Sequence, residues 1–123
     1  MPLKYLIDEH LLGDFAKSLI IAGVSQGVAL DVLEIGNDIA PVLGTKDPEL
    51  LLWCEAQDRI LISRDVTTMP DHLAAHIAIG HHSPGIFMIR PNRSWMEVLE
   101  DLVGLAEASL PDEWRDQILF IPL

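Results

Sequence analysis

The sequence predicts an α/β protein, a three-layer α/β/α sandwich around a mostly parallel central sheet. Short apolar runs of strand length alternate along the chain with amphipathic runs of helix length, and this order requires crossovers between parallel strands. Half of the residues are hydrophobic and the mean hydropathy is +0.29, as expected for a sheet buried on both faces. The length of 123 residues fits one domain over residues 1–123.

The first part of the chain predicts a strand, a helix and a second strand. LKYLI, residues 3–7, is a short apolar run that ends before two acids. LLGDFAKSLIIAG, residues 11–23, then places apolar residues at helical spacing before a glycine. ALDVLEIG, residues 29–36, alternates apolar and acidic residues, which is typical of a strand.

The middle of the chain predicts a loop, a helix, a third strand and a further helix. NDIAPVLGTK, residues 37–46, contains Asn, Pro and Gly and is a loop. DPELLLWCEAQ, residues 47–57, begins with Asp47 at an expected N-cap, followed by a proline at the first helical position. RILIS, residues 59–63, is an apolar strand, and TMPDHLAAHIAIG, residues 68–80, is the next helix.

The last part of the chain predicts a fourth strand, a long helix and a final strand. GIFMIR, residues 85–90, is apolar throughout its first five positions. Residues 94–110 form an amphipathic helix opened by Ser94 with Glu97 three positions on, the pattern of a capping box. The final seven residues, QILFIPL, either complete the sheet or form a seam in a homodimer.

Composition indicates a cytoplasmic protein and excludes a simple nucleic-acid binder. The apolar runs break well short of the roughly 18 residues that a membrane span needs, and the start resembles no signal peptide. The single cysteine, Cys54, cannot form an internal disulfide, which suits a reducing compartment. With 19 acids against 8 bases, the net charge of −11 would repel a phosphate backbone unless a cation intervened.

Acidic side chains are predicted to meet at one edge of the sheet. Asp8 ends the first strand and Asp65 follows the third, while Asp47 and Glu49 begin the helix between the second and third strands. The carboxyl ends of parallel strands share an edge, which is where ligands bind in such sheets. Two carboxylates about 4 Å apart repel by roughly 4 kcal/mol at an effective dielectric constant near 20, so a divalent cation is expected among them. Oxygen ligands favour Mg²⁺ or Mn²⁺.

Each of these acids also has a structural interpretation. Asp47 before a proline is an ordinary N-cap, and Glu49 in the first turn complements the helix dipole. Asp8 fits a cap of the helix after the first strand, and Asp65 fits the turn after the third. The shared position at strand ends favours the metal site over four independent caps.

Three segments resemble the PIN-like family of unknown function, which is related to toxin-type PIN-domain ribonucleases. They are YLIDEHL, DPELLLWCEAQDRILISRD and PGIFMIRP, and the tail AEASLPDEWRDQILFIPL is similar to the ending of one subgroup. The resemblance implies metal-dependent cleavage of RNA and a partner antitoxin protein. It implies metal ligands at Asp8, Asp47 and Asp65, with the Ser63 hydroxyl supporting the site. Glu9 or Glu49 would orient the attacking water.

The chain departs from the family pattern at two positions. His10 stands where the family usually has Asn, and Thr67 stands where many members carry a further acid. The fourth ligand is therefore open among Glu9, Glu49 and Asp71. The missing acid favours, as an alternative, a non-catalytic PIN-like scaffold.

Two other signals predict less. The acids after the first and third strands also fit a phospho-acceptor receiver domain, but the Lys-Pro expected at its last strand is missing. His72 and His76 have the four-residue spacing of a zinc helix, but HLAAH lacks the glutamate of a zinc protease and offers no evident third ligand. His81 and His82 are expected to be exposed in a turn. Zinc is therefore not expected from the sequence.

Overall fold

The computed structural model describes residues 3–11, 13–37 and 39–123 and confirms an α/β fold with an all-parallel, five-stranded central sheet. The strands are β1 Lys4–Ile7, β2 Asp31–Glu34, β3 Ile60–Ser63, β4 Ile86–Ile89 and β5 Ile118–Ile121. The helices are α1 Phe15–Ser25, α2 Asp47–Gln57, α3 Met69–Ala78 and α4 Trp95–Ala108. No helix in the described part of the chain is long and apolar enough to cross a bilayer.

The strand order is β2-β1-β3-β4-β5, so β1 and β3 lie side by side near the middle of the sheet. Ile7 pairs with Ile62, and the next amide along, that of Asp8, donates a hydrogen bond to the Ile62 carbonyl oxygen at 3.0 Å. The chain leaves β1 toward β2 on one side and returns from β2 to β3 on the other. This reversal opens a crevice beyond the carboxyl ends of β1 and β3, the usual ligand position in open parallel sheets.

Two layers of helices cover the sheet, as the predicted sandwich requires. Alternate residues of β1 point to opposite faces because strand side chains have a period of two. Tyr5 lies in a core cluster with Leu19 of α1 and Leu102 of α4, and its hydroxyl donates to the Leu102 carbonyl oxygen at 2.6 Å. Leu6 lies in the other cluster, with the buried side chains of α2 and α3. Burial raises the pKa of Tyr5.

The helix starts differ from the sequence prediction in three places. A 3-10 turn over Glu9–Leu11 follows β1, with the Leu11 amide bonded to the Asp8 carbonyl oxygen, so α1 begins only at Phe15. Asp47 is the first helical residue of α2 rather than its N-cap, which is Lys46. Ser94 is the N-cap of α4, but its side chain makes no capping hydrogen bond.

The start of β4 packs closely against the segment before β5. Gly85 has a φ of +128°, and a Cβ atom there would lie 2.7 Å from the Trp114 carbonyl oxygen. Its own carbonyl oxygen accepts a hydrogen bond from the Leu61 amide at 3.2 Å. A glycine at this position therefore lets the start of β4 pair with β3 while its backbone lies against Trp114.

Candidate functional site

Asp8, Ser63 and Asp65 are linked at the carboxyl edge of the sheet. Ser63 is the last residue of β3 and is fully buried, and Asp8 is only 5% exposed. The Ser63 hydroxyl donates to Asp8 Oδ2 at 2.9 Å and accepts a hydrogen bond from the Asp65 amide at 3.1 Å. One hydroxyl thus joins the carboxylate after β1 to the backbone after β3, at the crevice between the two strands.

The Asp8 carboxyl group sits where a negative charge is unfavourable. Burial raises its pKa, and the nearby charge of Asp47 acts in the same direction. Hydrogen bonds from Ser63 and from the Glu9 amide, together with the charge of His10, oppose the rise in pKa without cancelling it. A bound cation would stabilise the ionised form of this carboxylate.

Asp65 is held in a different way, by the turn that leads into α3. Its Oδ1 accepts hydrogen bonds from the amides of Thr67 at 3.2 Å and Thr68 at 3.0 Å, and its Oδ2 contacts the Thr68 hydroxyl. These bonds, the one from the Thr68 hydroxyl first, lower the pKa of Asp65. The carboxylate therefore stabilises the turn before α3, the structural role that the sequence also allowed.

Asp47 reaches the same edge from the first turn of α2. Its Oδ2 lies 3.3 Å from His72 Nε2, so the two side chains join the starts of α2 and α3. The Glu9 carboxylate instead accepts a hydrogen bond from the Gly44 amide at 3.3 Å, in the loop after β2. Glu49 and Asp71 are exposed on their helices.

The three aspartates predicted as metal ligands share an edge but do not form a closed cage. Within residues 3–11, 13–37 and 39–123, no set that includes Asp8, Asp47 and Asp65 has all its ligand atoms within 4.8 Å of one another. Mg²⁺ commonly keeps several waters and binds through one or two carboxylates plus substrate phosphates. The arrangement thus fits a partly hydrated ion at Asp8 better than an ion that contacts all three acids.

A groove of about 350 Å³ lies beside these carboxylates, lined in part by His10, Asp14, Arg64 and Trp95. The Arg64 guanidinium lies over the Trp95 ring, 5.7 Å from its centroid, and this ring is half exposed. His10 lines the groove and also lies near the edge of the sheet. There its charge acts to lower the pKa of Asp8, against the larger effect of burial, and that of Asp65. A cation stacked on an exposed aromatic ring is a surface that suits a nucleotide.

Sequence reasoning missed several of these neighbours. The partnership of His72 with Asp47 joins two helices, and the stacking of Arg64 on Trp95 joins a loop to α4; neither pair is close in the sequence. In the sequence, His10 stands out only as a departure from a family pattern. Its position two residues after Asp8, in the loop at a strand end, is the signal that places it beside the acids.

No family model, curated protein or solved structure matches the chain. The resemblance to PIN-like proteins therefore stays a prediction, supported by the order of short motifs in this sequence alone.

Proposed function

We propose that the protein is a metal-dependent endoribonuclease of PIN-like type that uses Mg²⁺ or Mn²⁺. The observation that carries the proposal is the buried Asp8 carboxylate, bonded to Ser63 at the crevice between β1 and β3. A carboxylate whose charge is disfavoured by burial gains from a hard cation, which stabilises its ionised form. The net charge of −11 adds to the argument, because an RNA strand would approach this surface only through a cation.

The chain offers a separate residue for each task in cleavage of a phosphodiester. Asp8 would hold the ion, with Asp47 and Asp65 as further carboxylates at the same edge. Ser63 fixes the orientation of Asp8, because its hydroxyl has no other acceptor than the Oδ2 atom among the described residues. Arg64 and Trp95 would bind the strand beside the ion through charge and stacking. The bound ion would stabilise the negative charge on the phosphate and lower the pKa of a water molecule.

The biological setting of this activity is proposed on the resemblance alone. Toxin-type PIN-like nucleases act on RNA and pair with an antitoxin protein, and we extend both partners to this chain. The half-exposed Phe120 of β5 and the exposed Leu123 offer an apolar edge for such a partner or for a second copy.

Two alternatives differ in what they require of Asp65. A non-catalytic scaffold is favoured by the bonds that engage both of its oxygens in the turn before α3. A receiver-like domain is favoured by the strand order β2-β1-β3-β4-β5, which such domains share. Against the receiver, Asp65 lies two residues beyond the end of β3, and β5 ends at Ile121-Pro122 without a lysine.

The proposal is tested with Asp8→Asn and Asp65→Asn, both of which keep the size of the side chain. Asparagine also keeps an oxygen for the turn amides at position 65. We expect each variant to lose about 100-fold or more of the Mg²⁺-stimulated cleavage of a labelled single-stranded RNA. Purified wild-type and variant proteins are compared in gel-based cleavage assays with and without EDTA.

Asp58→Asn is the matched control. Asp58 is exposed, follows α2 at the other end of the sheet, and has a φ of +54° that asparagine tolerates. It carries the same loss of charge away from the site and should cleave as wild type does. Equal cleavage by all four proteins would refute the nuclease proposal, and a wild type without cleavage would favour the scaffold.

A further inference from the structure

A second group of ligand-type side chains lies at the amino edge of the sheet, away from the carboxylates. The ligand atoms of Glu55, His76 and His81 all lie within 4.8 Å of one another. His76 Nε2 and His81 Nδ1 are each 3.0 Å from Glu55 Oε1. In the described part of the chain, this is the only group of three or more such residues that approaches so closely.

The shared oxygen has an unusual environment. Glu55 Oε1 is buried, and its polar neighbours are the two imidazole nitrogens, each 3.0 Å away. Neither contact has the geometry of a full hydrogen bond. A buried carboxylate oxygen that lacks a well-aligned donor is unfavourable, so a further partner is expected for it. In a tetrahedral site with ligands about 2.0–2.1 Å from the ion, the ligand atoms lie roughly 3.3 Å apart. The two nitrogen-to-oxygen distances are close to that spacing.

The three side chains are held in place by the backbone around them. Glu55 lies in the last turn of α2, while His76 and His81 lie at the end of α3 and just after it. The His82 amide donates to Glu55 Oε2 at 3.3 Å, which orients the carboxylate. The imidazoles of His76 and His81 stack with their centroids 5.0 Å apart and their planes 22° apart. The group is thus preorganised by contacts that hold all three side chains in position.

The exposure of the group also suits a cation. The His76 side chain is only 3% exposed, whereas that of His81 is 41% exposed. One side of the group is therefore open to solvent, where a water molecule would complete a tetrahedron.

We propose that Glu55, His76 and His81 bind one Zn²⁺ ion, which fastens the end of α2 to the turn after α3. Two imidazole nitrogens and a carboxylate oxygen form a ligand set that zinc accepts, with water in the fourth position. His76 Nε2 lies 3.1 Å from the His82 carbonyl oxygen, so zinc binding exchanges this contact for a bond to the ion. The site is independent of the proposed nuclease centre, because it lies at the opposite edge of the sheet and uses none of its residues.

The experiment titrates chelator-treated protein with Zn²⁺ in competition with a chromophoric chelator. We expect one equivalent to bind to the wild type, with a rise in melting temperature. His81→Ala and Glu55→Gln should each weaken zinc binding by about 100-fold or more and lose that rise. Both positions are partly exposed, so the variants are expected to fold, and melting curves recorded in EDTA check this.

His82→Ala is the matched control, since it removes the adjacent imidazole and keeps the backbone amide bonded to Glu55. It should bind zinc as the wild type does. Asp8→Asn should do so too, because it removes a charge at the other edge of the sheet. Visible absorption of the Co²⁺-loaded protein should show the intense bands of a four-coordinate site. The proposal is overturned if the wild type binds no zinc, or if His81→Ala binds it as tightly as the wild type.

Discussion

Burial raises the pKa of Asp8 because the folded protein removes water from its carboxyl group. The hydrogen bonds from Ser63 and from the Glu9 amide recover only part of what hydration supplied. Asp8 in the folded chain therefore holds its proton more tightly than in the unfolded chain. The contribution of Asp8 to the free energy of unfolding is therefore largest below pH 3.8, the pKa of the group in the unfolded chain. It is lost as the pH rises through the higher pKa of the folded state.

Asp8→Asn should therefore make the protein more stable at pH 7 in the absence of divalent ions, by about 0.5–2 kcal/mol. Asparagine can still accept the bond from the Glu9 amide and avoids the buried charge. At pH 3, where the aspartate of both states is mostly protonated, the difference between variant and wild type should vanish. Urea unfolding at the two pH values measures it, and a variant less stable than the wild type at pH 7 would contradict this account of Asp8.

The close packing at the start of β4 leaves no room for a side chain at Gly85. In Gly85→Ala, the new Cβ atom would lie 2.7 Å from the Trp114 carbonyl oxygen and 2.8 Å from the Trp114 Cβ atom, at a positive φ. We expect a loss of about 2–4 kcal/mol in the free energy of unfolding, from backbone strain and overpacking together.

Gly27→Ala is the control for the backbone term. Gly27 also has a positive φ, +76°, but no atom lies within 4 Å of the added Cβ position. Its substitution should cost about 1–2 kcal/mol. Guanidinium unfolding of both variants gives the comparison, and equal losses would show that the contact with Trp114 relaxes at no cost.

Most of the elements could be predicted from periodicity, because buried strands and amphipathic helices each have a characteristic spacing of apolar residues. The end of α2 at Gln57 was predicted correctly, and its start was predicted one residue late, because Asp47 is helical rather than the N-cap. The start of α1 was wrong because a hydrogen bond to the Asp8 carbonyl oxygen forms a 3-10 turn first, which apolar spacing does not reveal. Strand order was not predictable, since alternation fixes that strands are parallel but not which of them are neighbours.

For the candidate site, the sequence predicted the edge better than the contacts. Asp8, Ser63 and Asp65 follow from strand ends, which local patterns show. The carboxylate of Asp65 turns back to Thr67 and Thr68, and the sequence offered this only as one of two roles. The approach of His81 to Glu55 depends on how α2 and α3 end in space, so no spacing in the sequence indicates it.

The whole molecule carries far more negative than positive charge, with few attractive pairs to offset it. In the portion of the chain that the structure describes, Arg59 with Asp31 is the only ion pair that involves an arginine or a lysine. The other close pairs join histidines to acids. Repulsion among the acids therefore dominates the long-range electrostatics of the folded state.

We accordingly expect the melting temperature to rise with NaCl between 10 and 150 mM. The Debye length falls from about 30 Å to about 8 Å over this range, which screens the repulsion. A gain of about 1 kcal/mol would raise the melting temperature by roughly 3–6 °C for a chain of this size. Calorimetry in a salt series checks it, with sucrose as an uncharged control, and a melting temperature that falls with salt would contradict it.

The central position of β1 shapes how the chain reaches this fold. Lys4 lies opposite Asp31 and Tyr5 opposite Ile60, so both neighbours of β1 come from distant parts of the chain. Loop closure precedes every one of these pairings, and folds with such non-local contacts form slowly. During synthesis, β1 leaves the ribosome well before β3 can pair with it. The edge of β1 that faces β3 therefore stays unpaired during this interval, and such exposed strand edges make a nascent chain prone to aggregation.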